Sequence, residues 1–352
     1  MRRKTPSGLA ALICAALFLA APPFAAPPFT APLSAAPDLP RGKVIIDTKP
    51  IPYFGIGEAN RDRFGKLEFL GGLELLPRNR HVGGLSGLAV ADDGASFIAV
   101  TDNGLWVTGG IRQDAAGRPL GLRPVEVAPI LGSDGTPLVL AGRGDTEAVA
   151  IDRSGEAPRL LVSAEGHHSI YAFGYPLDTS ERAHSIPVPK AVTRLRANKG
   201  LEAVAVSSPD GPLGGTIVAI AERGASFDDD MQGFLIGGAV SGAFTVRRHD
   251  DFDVTDAAFL DDGDLLLLER RFNLRHGIGM RIRRIDGDKL KPGAVIDGVT
   301  IIEAGFAHQI DNMEALAVHT SASGDTILTI LSDDNRSILQ RSLLLRFRLA
   351  DR

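Results

Sequence analysis

The chain has 352 residues, 44% hydrophobic and 6% aromatic, with 40 glycines, a composition that excludes disordered and fibrous proteins. Its 38 basic and 43 acidic residues leave a net charge of −5 with neither sign dominating a long stretch, which excludes the basic face of a nucleic-acid binder. The single cysteine, Cys14, lies in the leader, so the rest of the chain has no disulfide, thiolate metal site or cysteine nucleophile.

Residues 1–36 read as that leader. Met1-Arg2-Arg3-Lys4 is a positive n-region, Gly8 to Ala21 is apolar, and Pro/Ala-rich sequence follows to Pro37. This is the layout of a secretory signal peptide and predicts a periplasmic or secreted protein. The apolar run is shorter than the roughly 20 residues a spanning helix needs, and no later segment comes close, so no membrane span is expected. Residues 37–63 are read as an N-terminal extension and 64–352 as one domain.

Within that domain five short segments align without gaps: Ser86 to Val90, Glu147 to Ile151, Glu202 to Val206, Asp256 to Leu260 and Glu314 to Val318. They recur about every 55–60 residues, a period that signals a repeat architecture. Each is followed by a turn rich in Asp, Gly or Ser. Next comes a short apolar run ending in an acid: Phe97 to Asp102, Leu160 to Glu165, Thr216 to Glu222, Asp264 to Glu269 and Thr326 to Asp333. Apolar runs of this length between Asp-Gly type turns, without a 3.6-residue period, are strands joined as hairpins. Two further strand-like stretches follow in most units, such as Phe234 to Val240 and Ala243 to Arg248. Four antiparallel strands per unit predict an all-β fold, a β-propeller with five countable repeats. The last unit ends one strand short, and Lys66 to Leu76 can supply that strand. The seam holds more chain than one blade needs, which leaves six blades as the alternative.

The first residue of an inner strand and the last of its hairpin partner lie at the same end. Ten positions therefore converge on one face: Ser86, Glu147, Glu202, Asp256 and Glu314, with Asp102, Glu165, Glu222, Glu269 and Asp333 beside them. Nine are carboxylates. Like charges this close raise one another's pKa unless a cation sits among them. A hard cation such as Ca²⁺, which takes six to eight oxygen ligands, meets that need. So do Lys199, Arg223, Arg270, Arg271, Arg275 and Arg336 in flanking loops. Acids at strand ends also tie blades together by pairing with a neighbour's arginine. His81, His167, His168, His276 and His308 fall on the same face, and His81 and His308, each leading into an inner strand, are the candidates for proton transfer. Gly84-Leu85-Ser86-Gly87-Leu88 lacks the last glycine of a nucleophile elbow and stands at a strand entry.

Four segments resemble the bacterial phytase-like family described as having esterase-like activity of phytase: Asn198 to Ala205, Leu267 to Phe272, Asn312 to Leu316 and Ser332 to Asn335. The resemblance runs from about Lys66 to Arg346. It implies Ca²⁺ on the acidic face, basic side chains holding a phosphate ester, and metal-activated water as nucleophile.

The leading expectation is a secreted or periplasmic metal-dependent hydrolase acting on a small anionic substrate, a phosphoester. Asp102, Glu147, Glu202, Glu222, Asp256, Glu269, Glu314 and Asp333 would hold Ca²⁺, and Lys199, Arg223, Arg270 and Arg271 would hold the anion. The alternatives are lactone or carboxylic ester hydrolysis on the same metal, and a non-catalytic binding propeller.

Overall fold

The computed structural model describes residues 39–350 apart from 80, 81, 196–199, 225, 227, 228 and 274. The leader, His81 and Lys199 therefore lie outside the described residues. Among the described residues nearly all regular structure is strand, with single turns of 3₁₀ helix at Val192–Arg194 and Gly287–Lys289.

The strands form five sheets, each the blade of a propeller. Their inner strands are Leu85–Val90, Thr146–Asp152, Leu201–Val206, Asp253–Phe259 and Asn312–Thr320 for blades 1 to 5. Each inner strand begins a hairpin with the apolar run read from the sequence. In blade 3 the two outer strands are Met231–Ile236 and Gly242–Val246. Both begin and end earlier than the apolar pattern suggests, and Gly237 and Gly238, both at positive φ, turn the chain before Val240.

Five blades close the ring, and the sixth drops out. Ser342–Leu349 of blade 5 pairs antiparallel with the N-terminal strand Leu67–Pro77, which completes the last sheet. The stretch read as an extension belongs to the propeller as well. Ile46–Ile51 adds a further strand beside Leu67–Pro77, and Gly42–Val44 pairs with Val125–Pro129 of blade 1. That length of chain is the excess that left six blades open.

The apolar core is divided among the five gaps between blades. Between blades 4 and 5, for example, Leu266, Leu268, Met280 and Ile282 pack on Leu316, Leu328, Ile330 and Leu343, with Phe54, Phe64 and Phe69 from the N-terminal segment. Every blade thus buries both faces. Small residues allow the inner strands to converge. A Cβ on Gly87 would stand 2.7 Å from the backbone nitrogen of Val149 in the next blade.

The register of each inner hairpin shifts by one residue near its start, a β-bulge repeated in all five blades. The extra residue is left out of the ladder. It is Ser86, Glu147, Glu202, Thr255 and Glu314 in turn. These bulges decide which side chains reach the face above the axis.

Candidate functional site

In blade 4 the register displaces the gapless sequence alignment by one residue. Thr255, not Asp256, is the bulged residue there, and Arg270, not Glu269, follows the residue paired with the one before the bulge, Val254. Thr255 behaves as Ser86 does in blade 1. Each hydroxyl donates to the backbone carbonyl of the next blade, Ser86 to Thr146 at 2.5 Å and Thr255 to Met313 at 3.1 Å.

Asp256 and Glu269 are consequently turned away from the ring. Asp256 is buried, and its two oxygens accept the backbone N–H groups of Ala257 at 2.8 Å and of Leu316 in blade 5 at 2.7 Å. Burial pushes its pKa well above the ordinary value despite those two bonds. Glu269 is fully buried between Arg281 (2.7 Å) and Arg283 (2.9 Å). Both carboxylates are thus used in holding blade 4 together and to its neighbour.

Arg270 takes the place in the ring that an acid was expected to fill. Its Nη1 donates to Asn312 Oδ1 at 2.6 Å and lies 3.2 Å from Glu314, while Nη2 lies 3.5 Å from Glu222. Burial opposes its charge, but Glu314, Glu222, Glu202 and Asp253 outweigh that and raise its pKa. Asn312 Nδ2 in turn donates to Glu314 at 2.6 Å. Asp102 is likewise engaged, paired with Arg336 through both oxygens. Asp333 accepts the N–H of Asn335 at 2.8 Å, and burial lifts its carboxyl to about 6. Arg223, expected to meet the anion, grips Asp253 with two donors. Arg271 lies over the ring of Phe252, 4.4 Å from its centroid, and donates to the carbonyl of Asp250.

The opposite side of the ring carries the excess negative charge. Carboxylate oxygens of Asp145, Glu147 and Glu165 all lie within 4.8 Å of one another. Burial raises Glu147 well above its ordinary value, and Glu202, Asp145, Glu314 and Glu165 push it further. Glu202 is raised well above its own by burial and then by Glu222, Glu165 and Glu314. Glu165 reaches about 7, chiefly through burial, although it accepts the Gly200 N–H at 2.8 Å. Gly200 has no room for a side chain, since a Cβ there would stand 2.6 Å from Glu165 Cγ. Among the described residues no lysine or arginine is ion-paired with Asp145, Glu147, Glu165 or Glu202. Hard oxygen donors grouped in this way suit a divalent cation such as Ca²⁺.

Two of these features escaped the sequence reading. Asp145 stands two residues before Glu147, as Asn312 stands two before Glu314, and side chains two apart along a strand share a face. That alternation could have found both. Glu165, counted in the ring but not among the expected ligands, is one of the three grouped acids.

A pocket of about 640 Å³ opens beside Arg270, between blades 4 and 5, with Asn312, His308 and Arg341 on its wall. His308 packs its ring on Phe54 and Phe64, and its Nδ1 accepts the Gly305 N–H at 3.3 Å. A separate cavity of about 490 Å³ follows the axis past the bulges, lined by the inner strands and His319.

The sequence matches the family model for phytase-like proteins, esterase-like activity of phytase, over residues 80–336. The chain belongs to the phytase-like family. No curated protein matches it. Among solved structures, glutaminyl cyclase of Myxococcus xanthus is 10% identical, with 76% of this chain and 92% of that chain covered and a TM-score of 0.34. The α-L-arabinofuranosidase of Podospora anserina, in complex with cellotriose, is 9% identical, with 76% and 93% covered and a TM-score of 0.40. At those scores neither bears on what this phytase-like protein does.

Proposed function

We propose that this phytase-like propeller is an exported, cation-dependent hydrolase of phosphoesters, acting where the acidic side of the ring meets Arg270. The observation that carries the reading is the group of Asp145, Glu147 and Glu165, whose oxygens lie within 4.8 Å of one another. Those three residues would hold Ca²⁺, with Glu202 adding negative charge beside them. The ligand set inferred from the sequence is thereby reduced. Asp102, Glu222 and Glu314 are engaged by arginines, Asp256 and Glu269 hold blades together, and Asp333 accepts a backbone bond.

A divalent cation held there would lower the pKa of a bound water and offset charge on the phosphoryl oxygens. Arg270, fixed by Asn312 and Glu314, supplies a planar guanidinium suited to those same oxygens. In hydrolysis the water oxygen bonds to phosphorus, and the bond from phosphorus to the alcohol oxygen breaks with its electron pair on that oxygen. The oxygen takes a proton, and alcohol and phosphate leave. His308 stands on the wall of the adjoining pocket. Its Nδ1 is occupied by the Gly305 N–H, which leaves Nε2 as the nitrogen to pass that proton.

The test is a calorimetric titration of Ca²⁺ into chelator-stripped protein, with and without inorganic phosphate. Binding that tightens with phosphate supports a shared metal and anion site. No binding at millimolar Ca²⁺ would sink the reading and leave the acids as ties between blades. Export rests on the leader of residues 1–36 and is tested by cell fractionation.

A further inference from the structure

We infer that the pocket between blades 4 and 5 receives the alcohol portion of the substrate and selects esters of bulky, apolar aromatic alcohols over polyhydroxylated or multiply phosphorylated ones. This rests on the phosphoester reading for the anionic end and on the pocket for the rest. At about 640 Å³ the pocket has the volume of a small-molecule site. Phe272, Phe306 and Leu339 stand on its wall at 81%, 72% and 88% exposure, so they pack against little of the fold. Three large apolar side chains held in water around one opening mark a contact surface.

Polar groups lie between this apolar wall and the ring. Arg270 and Asn312 line the pocket and also bond to each other and to Glu314 of the ring. A phosphoryl group on Arg270 would therefore send its ester substituent into the pocket. Arg271 adds a buried Nε without a hydrogen-bond partner in that wall, a donor suited to a polar atom near the ester linkage. Against Phe272, Phe306 and Leu339 a multiply charged alcohol would lose hydration that those side chains do not replace.

The experiment compares 1-naphthyl phosphate with glycerol 2-phosphate as substrates, and follows 1-naphthol binding by fluorescence in the presence of chelator. Phe272→Ser with Phe306→Ser, and separately Leu339→Ser, alter only exposed side chains. The expected result is naphthol binding that weakens about tenfold in the double variant. KM for naphthyl phosphate should rise by the same factor, with glycerol 2-phosphate unaffected. Unchanged naphthol binding and KM in all variants, or a preference for glycerol 2-phosphate, would overturn the inference while leaving the hydrolase reading intact. Naphthol binding that depends on the two phenylalanines without turnover of either phosphate would keep the pocket and remove the phosphoester. Turnover of 1-naphthyl acetate in that case would assign a carboxylic ester instead.

Discussion

Glu269 and Glu147 are both acids that the sequence places on the same face of the ring, yet their surroundings give them opposite roles. Glu269 is the only carboxylate within hydrogen-bonding reach of both Arg281 and Arg283 among the described residues, and all three side chains are buried. Removing it leaves two buried guanidinium groups poorly compensated, so Glu269→Ala should cost about 3–5 kcal/mol, read by chemical denaturation. Glu147 meets other acids instead, and its raised pKa records a charge that the cation-free fold resists. Glu147→Gln should raise the Tm of chelator-stripped protein by about 2–4 °C, which corresponds to about 1 kcal/mol. The same variant should bind Ca²⁺ at least tenfold more weakly by calorimetry. A destabilised variant with unchanged Ca²⁺ affinity would make Glu147 a structural residue.

At the scale of the element, the ring is held at its face by contacts from each blade to the next. Ser86 and Thr146 join blades 1 and 2, Glu165 meets Gly200, Arg223 grips Asp253, Arg270 reaches Asn312, and Arg336 pairs with Asp102. Asp256→Ala should cost about 1–3 kcal/mol by leaving the buried N–H of Leu316 without its partner. The seam matters more than any one contact. Leu67–Pro77 runs beside Ser342–Leu349 and brings Leu67, Phe69, Leu73 and Leu75 into the cores on either side of blade 5. Deleting residues 39–77 should therefore abolish cooperative unfolding in a thermal scan, because an uncovered strand edge and two opened cores remain. A sharp transition in that variant would show that four blades and a partial fifth suffice.

For the whole molecule, charge on the ring links stability to pH. Glu165 and Glu314 lie at about 7 against an ordinary 4.5, and Asp333 at about 6 against 3.8. Between those limits the folded protein holds more protons than the unfolded chain, so stability falls as pH rises through the window. Glu147, Glu202 and Asp256 act in the same direction. His319 acts against them, since burial lowers it to about 4 and its neutral form favours folding as pH rises towards 6.5. One histidine is outweighed by six acids. The Tm of chelator-stripped protein should drop from about pH 5 to about pH 8, and saturating Ca²⁺ should flatten the dependence. A cation-free Tm that rose over this range would mean that the acids are compensated without a metal.

The five-bladed propeller was legible in the chain because its signals are local. Short apolar runs and Asp-Gly turns define each hairpin from within a few residues, and the missing outer strand of the last repeat pointed to Lys66 to Leu76. Carboxylates at the strand starts were legible for the same reason. Their partners were not, because a bulge is set by how two strands pair and not by spacing along one. The alignment of Asp256 and Glu269 with the ring failed on a single residue of register, and only the folded sheet put Thr255 and Arg270 there. Sequence alone determined the hairpins, their number and the acidity of one face. The tertiary structure decided which acids meet arginine, which meet one another, and that a pocket opens beside Arg270, since each depends on how strands pair within a blade and on side chains that neighbouring blades bring together.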